Sequence, residues 1–342
     1  MTEPGDDFLA GHPRYQQLHY LSRGLFGYVV LAMDKTTGQL VAVKFIERTL
    51  DKLTRNVERE IINHSSLSHP HIVHFNECFL TVRHLAIVME YCAGGNMWQY
   101  VADNRGLDED RARWFYQQLI LALDYIHKMS VSNRDIKLEN TLLDTSQPNT
   151  KPLLKVCDFG YSINESLSLP RTAVGTPGYV APEVLTNRRR YDGKLTDVWS
   201  SGVMLYAMLF CQYPFERPGD EQDKKRNQLV MQRTVNVQYE FPAHKPISDE
   251  CRDLLARIFV ADPGQRITVR EIHHHPWFRH GMPPDLDVDR YNEHWTTPTQ
   301  SAERAASVRS ILRDALRTSP SSAIEAPSAQ QQPQQLHIVT GR

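Results

Sequence analysis

The sequence predicts an α+β fold in two lobes, a small antiparallel β-sheet carrying one helix and then a larger helical lobe. Three observations lead there. Short apolar runs separated by turn residues crowd the chain up to Glu90; one 3.6-residue periodicity interrupts them; and helical patterns dominate the rest of the chain.

Residues 1–14 are polar and without periodicity, and read as an N-terminal tail. From Tyr15 to Glu47 the pattern is β-like, with Tyr28 to Ala32 and Leu40 to Val43 flanking the turn-forming Lys35-Thr36-Thr37-Gly38. Val57, Glu60, Ile61 and His64 then share one helical face. Strands around 73–79 and 85–89 come next, before Gly94-Gly95 breaks the run, giving a first lobe over 15–90. In the second lobe, 91–278, Phe115, Leu119, Ala122 and Ile126 mark an amphipathic helix with Asp108 as its N-cap. Thr141-Leu142-Leu143 and the run from Leu154 to Cys157 suggest a small hairpin. A helix beginning near Thr196 is apolar almost all round, as a central helix should be. After Phe278 a tail over 279–342 is expected, with a helix over 301–317 and a low-complexity, disordered end over 318–342.

A net charge of −1 offers no general basic field, so nucleic acid is not an expected partner. The five cysteines are scattered and unpaired by spacing, and no secretory signal opens the chain, which points to a reduced compartment, cytoplasmic and/or nuclear. The longest apolar run, Val203 to Cys211, falls short of the roughly 18 residues a membrane span needs. Thr2 follows Met1, so the myristoylation glycine is absent, and no membrane partner is expected.

Four clusters carry chemistry. Leu21, Ser22, Gly24 and Gly27 lie on the first hairpin, where glycines let a turn close over a triphosphate, although an ordinary hairpin turn has the same look. Lys44 ends the apolar strand Val41-Ala42-Val43 and could simply snorkel at an edge. Glu60, however, lies on the inward face of the next helix, where a carboxylate is costly without a cation; paired with Lys44 it would hold the ammonium against phosphates. The run from Asn133 to Asn140 offers a proton acceptor in Asp135, a cation in Lys137 and a metal-ligand carbonyl in Asn140. Asp158-Phe159-Gly160 adds the hard anionic oxygen that Mg²⁺ prefers, and Ala181-Pro182-Glu183 comes later. Each tripeptide is common; the ordered set is not.

This set resembles the eukaryotic protein kinase family over about Tyr15 to Phe278, and Lys137, two residues after Asp135, resembles its serine/threonine branch. The resemblance implies a bilobal kinase using ATP and Mg²⁺ on protein Ser/Thr hydroxyls. Asp135, Lys137, Lys44 and Glu60 would be catalytic, and Asn140 and Asp158 would bind metal. ATP would lie against Leu21, Ser22, Gly24, Gly27, Val29, Ala42, Lys44, Glu90, Cys92 and Leu142, with Met89 as gatekeeper. Asp197 would anchor the catalytic loop, and Arg266 would pair with Glu183. Thr172, and secondarily Ser168, would be phosphosites for an upstream kinase and a phosphatase, with Arg134 as the cation a phosphate pairs with. Thr176 would instead bond Asp135 and Lys137.

The strings Arg59-Glu-Ile-Ile-Asn-His64, His84 to Tyr91, Lys137 to Asp144, Val156 to Ser162, Tyr191 to Lys194 and Arg257 to Pro263 narrow this further. They resemble the plant sucrose-non-fermenting-related kinases of the second subfamily, which implies osmotic-stress, hormone or nutrient signalling and a regulatory helix after the kinase domain. The stripe Ala305, Val308, Ile311, Leu312, Ala315 and Leu316 is expected to dock on the helix bearing Glu60, the rival reading being a dimer contact or a frayed end. Four departures stand out. Asn133 replaces the family's histidine and removes an aromatic from under Phe159; Ser22 replaces a glycine; Asn96 stands where a substrate-reading Glu is common; and an acidic C-terminal box is missing. Since neither change touches a group that handles a proton, metal or phosphate, a tempered enzyme is expected rather than a dead one. The rivals are a nucleotide-binding pseudokinase and a small-molecule phosphotransferase. His273-His274-His275 with His280 reads as part of a terminal helix rather than a metal site, and Arg188-Arg189-Arg190 as a solvated loop or docking patch.

Overall fold

Five strands, β1 (Tyr15–Gly24), β2 (Gly27–Asp34), β3 (Leu40–Glu47), β4 (Phe75–Leu80) and β5 (His84–Glu90), form one antiparallel sheet in the order β1-β2-β3-β5-β4. Helix α1 (Arg55–Ser65) is inserted between β3 and β4. The computed structural model describes residues 7–24, 27–49, 52–147, 149–164, 176–186, 191–282, 288–295 and 298–317. Thr172, Ser168 and the Arg188-Arg189-Arg190 run lie outside these, as do Leu25 and Phe26 and the residues over 318–342.

The register decides what each face does. Lys44 pairs with Val29 and Ile87, and Ala42 with Leu31 and Met89, so these residues share one face with Ile46. That face continues into a buried cluster with Val57 and Ile61 of α1. The opposite face presents Val30, Ala32, Val41, Val43 and Phe45. It is closed by the segment that reads as a polar tail: Leu9 is buried, and Phe8 stacks on Tyr28 and Phe45 at 5.3 and 5.0 Å.

The second lobe comprises α2 (Met97–Asp103), α3 (Glu109–Lys128), the short strands β6 (Val131–Ser132), β7 (Thr141–Asp144), β8 (Leu153–Val156) and β9 (Ile163–Asn164), α4 (Pro182–Thr186), α5 (Gly193–Phe210), α6 (Arg226–Val235), α7 (Asp249–Ile258), α8 (Val269–His274) and α9 (Pro276–Arg279). Asp108 caps α3 as expected, accepting from Arg111 N–H at 2.8 Å. Helix α5 starts three residues before Thr196, because Asp192 accepts from the N–H groups of Lys194 and Leu195. Every residue of α5 from Thr196 to Phe210 is buried, which accounts for its lack of a polar face. At Gly202 a Cβ would lie 2.4 Å from Ile258 Cγ2, so only glycine lets α7 approach this closely. Arg266 clasps Glu183 with two bonds of 2.7 Å and stacks over Trp199, tying α4 to the central helix. Of the clustered histidines, His275 bonds Asp253 and His274 bonds Asp289, each at a separate carboxylate. No helix of the described residues is long and apolar enough to cross a membrane.

Residues 288–295 then run back along the second lobe. Asn292, fully buried, donates to Leu121 C=O and Asp124 and meets His69 at 3.0 Å. The chain next enters α10 (Pro298–Arg317), which starts three residues before the expected 301. Val308, Leu312 and Ala315 are buried in the cluster of Val57, Ile61, Phe75 and Cys78, with Ile311 packed beside them, and Ala305 is buried as well. The stripe thus covers α1 and β4; the side chain of Leu316 lies outside the described residues.

Two buried histidines hold irregular joins, His64 at the carbonyl of Val73 (2.7 Å) and His71 at that of Leu154 (3.1 Å). Burial lowers both pKa values to about 4, against about 6.5 in an unfolded chain. Between those values the unfolded chain binds more protons, so stability is complete above the window and is lost as pH falls through it. Each histidine should withdraw on the order of 1–3 kcal/mol. Melting temperature is therefore expected to fall between about pH 7 and pH 5, and His71→Gln to flatten the slope. A variant slope equal to wild type would remove His71 from the account.

Candidate active site

The cleft between the lobes gathers the charged residues. Lys44 Nζ lies 2.6 Å from Glu60 Oε1, both largely buried. Burial pulls the Lys44 ammonium down, but Glu60 and then Asp158 outweigh it and hold it above the ordinary lysine range. Burial pushes Glu60 up and the Lys44 ammonium opposes this, so the pair is stable only as a pair. Gly27 sits where a Cβ would be 1.7 Å from the carbonyl oxygen of Phe45, so only glycine lets β2 close on β3 at this point. Gly24 faces it across the hairpin, while Leu21 and Ser22 are exposed on β1.

Across the cleft, Asp135 is buried at the head of a short turn. Its Oδ2 receives Lys137 Nζ at 2.8 Å and Asn140 Nδ2 at 2.7 Å, and its Oδ1 receives the Thr176 hydroxyl at 3.1 Å. Lys137 also donates to Thr176 at 2.8 Å, the arrangement expected from the sequence. Burial raises the Asp135 carboxyl pKa and Lys137 opposes it. Asn140 spends its Nδ2 on Asp135, and among the described residues no hydrogen bond engages its Oδ1. Asp158, with φ of 61°, turns its Oδ1 to the N–H of Gly160 at 2.9 Å. Asp197, fully buried on α5, accepts from the N–H groups of Asn133 and Arg134 and from His127, and so anchors this loop. Arg134 donates to Tyr161 C=O and the Tyr191 hydroxyl, a contact the sequence did not suggest.

The apolar wall is built from neighbouring strands. Ala42 and Met89 are register partners on β3 and β5, and Val29 lies two pairs along, opposite Lys44. Leu142 bridges to Asn96, and Gly94 N–H and Gly95 C=O bond Leu143, where a Cβ on Gly94 would lie 2.7 Å from a carbonyl oxygen. The Glu90 side chain is taken by Lys155 at 2.6 Å and His74 N–H at 3.0 Å. Burial pushes the Cys92 thiol up to about 12, so it is a packing group rather than a nucleophile.

Two features were missed. Asn133 does more than vacate space under Phe159: its amide bonds the backbone of both Asp135 and Asp158, which corrects the expectation that this substitution leaves the catalytic groups untouched. The aromatic partner of Phe159 is His64, stacked at 5.1 Å; its place on the inward face of α1 was the available signal. Asn96, meanwhile, caps α2 through Gln99 N–H at 2.9 Å, and Glu139 remains exposed on the catalytic-loop turn.

A two-lobed fold with this cleft defines a protein kinase, and residues 15–278 match the protein kinase domain family. The chain belongs to that family, as a serine/threonine protein kinase of the second sucrose-non-fermenting-related subfamily. It is 48% identical over 304 residues to serine/threonine-protein kinase SAPK9 of Oryza sativa subsp. japonica, covering 88% of this chain and 82% of that one. It is 47% identical over 306 residues to serine/threonine-protein kinase SRK2A of Physcomitrium patens, covering 89% and 85%. With serine/threonine-protein kinase SRK2D of Arabidopsis thaliana it shares 48% over 304 residues, covering 88% and 82%.

Proposed function

We propose that this kinase moves the γ-phosphoryl group of ATP to protein Ser and Thr hydroxyls in osmotic-stress, hormone or nutrient signalling. The observation that carries the chemistry is the convergence of Lys137, Asn140 and Thr176 on the Asp135 carboxylate, opposite a formed Lys44–Glu60 pair. Asp135 accepts the hydroxyl proton, and Lys137 offsets charge on the moving group. Lys44 and the backbone at Gly24 and Gly27 hold phosphates, with the base between Val29, Ala42 and Leu142.

The donor set suits Mg²⁺: the Asp158 carboxylate and the Asn140 amide oxygen are hard ligands, and the Asn140 side chain is fixed by its Nδ2 bond to Asp135. When bound, the ion would neutralise phosphate charge. An upstream kinase and a phosphatase would act on Thr172 and Ser168, with Arg134 receiving the phosphate. Glu139 favours a basic residue near the acceptor, whereas Asn96 is already spent as a cap. The signalling role is supported by kinship with the plant subfamily and by the docked α10.

Incubation with radiolabelled ATP, Mg²⁺ and a generic basic protein tests the reading. Label should enter protein Ser and Thr; binding without transfer would favour a pseudokinase, and label in small acceptors alone a different phosphotransferase. Lys44→Arg should lower turnover by about 10²-fold, because a planar guanidinium cannot sit where the compact ammonium does. Wild-type turnover in that variant would remove Lys44 from the phosphate site.

A further inference from the structure

Asn133 is fully buried one residue before Arg134-Asp135, and the two ends of its side chain meet two different loops. Nδ2 donates to the backbone carbonyl of Asp158 at 3.0 Å. Oδ1 accepts from the backbone N–H of Asp135 at 3.1 Å. The orientation is dictated by chemistry: turned over, the amide would set N–H against N–H and oxygen against carbonyl oxygen. Its own N–H is fixed by Asp197 at 2.9 Å, so the bridge hangs from the central helix.

The bridge sits where the backbone needs support. Asp158 and Arg134 have φ of 61° and 66°, a region that non-glycine residues occupy only when their surroundings enforce it. The groups gripped by Asn133 are the carbonyl of the first and the N–H just after the second. On the far side, the His64 ring stacks on Phe159 and holds the same loop. An aliphatic side chain of equal size would leave a donor and an acceptor unpaired in a buried place.

We propose that Asn133 is a positioning residue, whose carboxamide locks the carboxylate-bearing backbones of Asp135 and Asp158 into one frame. This rests on the proposed kinase chemistry and deepens it. Because the two loops must agree within a fraction of an ångström for transfer, the bridge acts on turnover more than on nucleotide affinity.

Three variants of the full chain test it. Asn133→Leu loses both bonds: amide hydrogen exchange at Asp135 should accelerate, and kcat per folded molecule should fall about 10²-fold with KM for ATP changed less than about threefold. Asn133→Asp keeps the acceptor but sets a carboxylate against the Asp158 carbonyl. It should retain Asp135 protection yet need about tenfold more Mg²⁺ for half-maximal rate. Asn133→His can return a ring N–H to Asp158 and should recover much of the lost kcat. Unchanged exchange at Asp135 in the leucine variant would overturn the proposal, as would a lower melting temperature with kcat per folded molecule within about twofold of wild type. Should the leucine variant not fold, a wild-type Mg²⁺ requirement in the aspartate variant overturns it equally. Absence of transfer by the wild-type chain would instead sink the kinase reading, and exchange at Asp135 would still decide the bridge.

Discussion

Asp135→Asn should lower kcat by about 10³-fold while melting temperature and nucleotide binding stay near wild type. Among the described residues its carboxylate is the one anionic group that meets Lys137, Asn140 and Thr176 together, at 2.8, 2.7 and 3.1 Å. An amide of the same shape keeps an oxygen for Lys137 and Asn140 and can turn its N–H to the Thr176 oxygen, but has no charge to draw a proton from a substrate hydroxyl. Stability should not suffer, and the direction of the pKa explains why. Burial raises the folded-state value, so the ionised form is disfavoured by folding and a neutral side chain removes that cost. The same shift means that the working base protonates at a higher pH than an ordinary carboxylate, so the acidic limb of the wild-type rate profile should begin above the usual Asp range. Steady-state kinetics with a protein substrate and calorimetric melting check both halves. Wild-type turnover in Asp135→Asn would move the catalytic base elsewhere.

The parts of this machine that obey a period or a cap were readable in the sequence, and those held by isolated side-chain bonds were not. Glu60 announced its partner because a carboxylate on the apolar face of a helix demands a cation, and Lys44 lies 2.6 Å away. Asp108 and the amphipathic stripe of α10 were legible for similar reasons of spacing. Phe8 and Leu9, by contrast, are two apolar residues without a repeat, and only the open face above Phe45 gives them a place. The segment 288–295 has no regular pattern to read; it is held by scattered contacts, among them a buried Asn292 on Leu121 and Asp124 and the bond of Asp289 to His274. Helix α10 begins at Pro298, ahead of its apolar stripe, because proline is tolerated in a first turn where the missing N–H costs nothing. Asn133 misled for a different reason. Judged as a lost ring it is a defect, whereas its amide supplies one donor and one acceptor to two backbones that only tertiary structure brings together.

Ending the chain after Trp295 should lower both melting temperature and basal turnover, because it strips α10 from α1 while leaving the 288–295 segment in place. Val308 and Leu312 are almost fully buried in the cluster that also holds Val57 and Ile61, the residues on either side of Glu60 along α1. Their burial contributes roughly 1.5–3 kcal/mol each before the cost of ordering a helix that is marginal alone. A net loss on the order of 2–4 kcal/mol should lower the melting temperature by about 5–10 °C. Activity falls with it because α1 carries Glu60: with its outer face bare, the helix can leave the sheet and open the Lys44–Glu60 pair, a population shift expected to cost about tenfold in turnover. Leu312→Asp should reproduce most of both effects by placing an unpaired carboxylate among apolar side chains, whereas Arg309→Ala, on the exposed face, should change neither. A peptide spanning 298–317 added to the truncated enzyme should restore activity in proportion to its occupancy. Equal melting temperature with equal turnover after truncation would leave α10 without a hold on α1, and lost stability with intact turnover per folded molecule would leave it a brace for the lobe and nothing more.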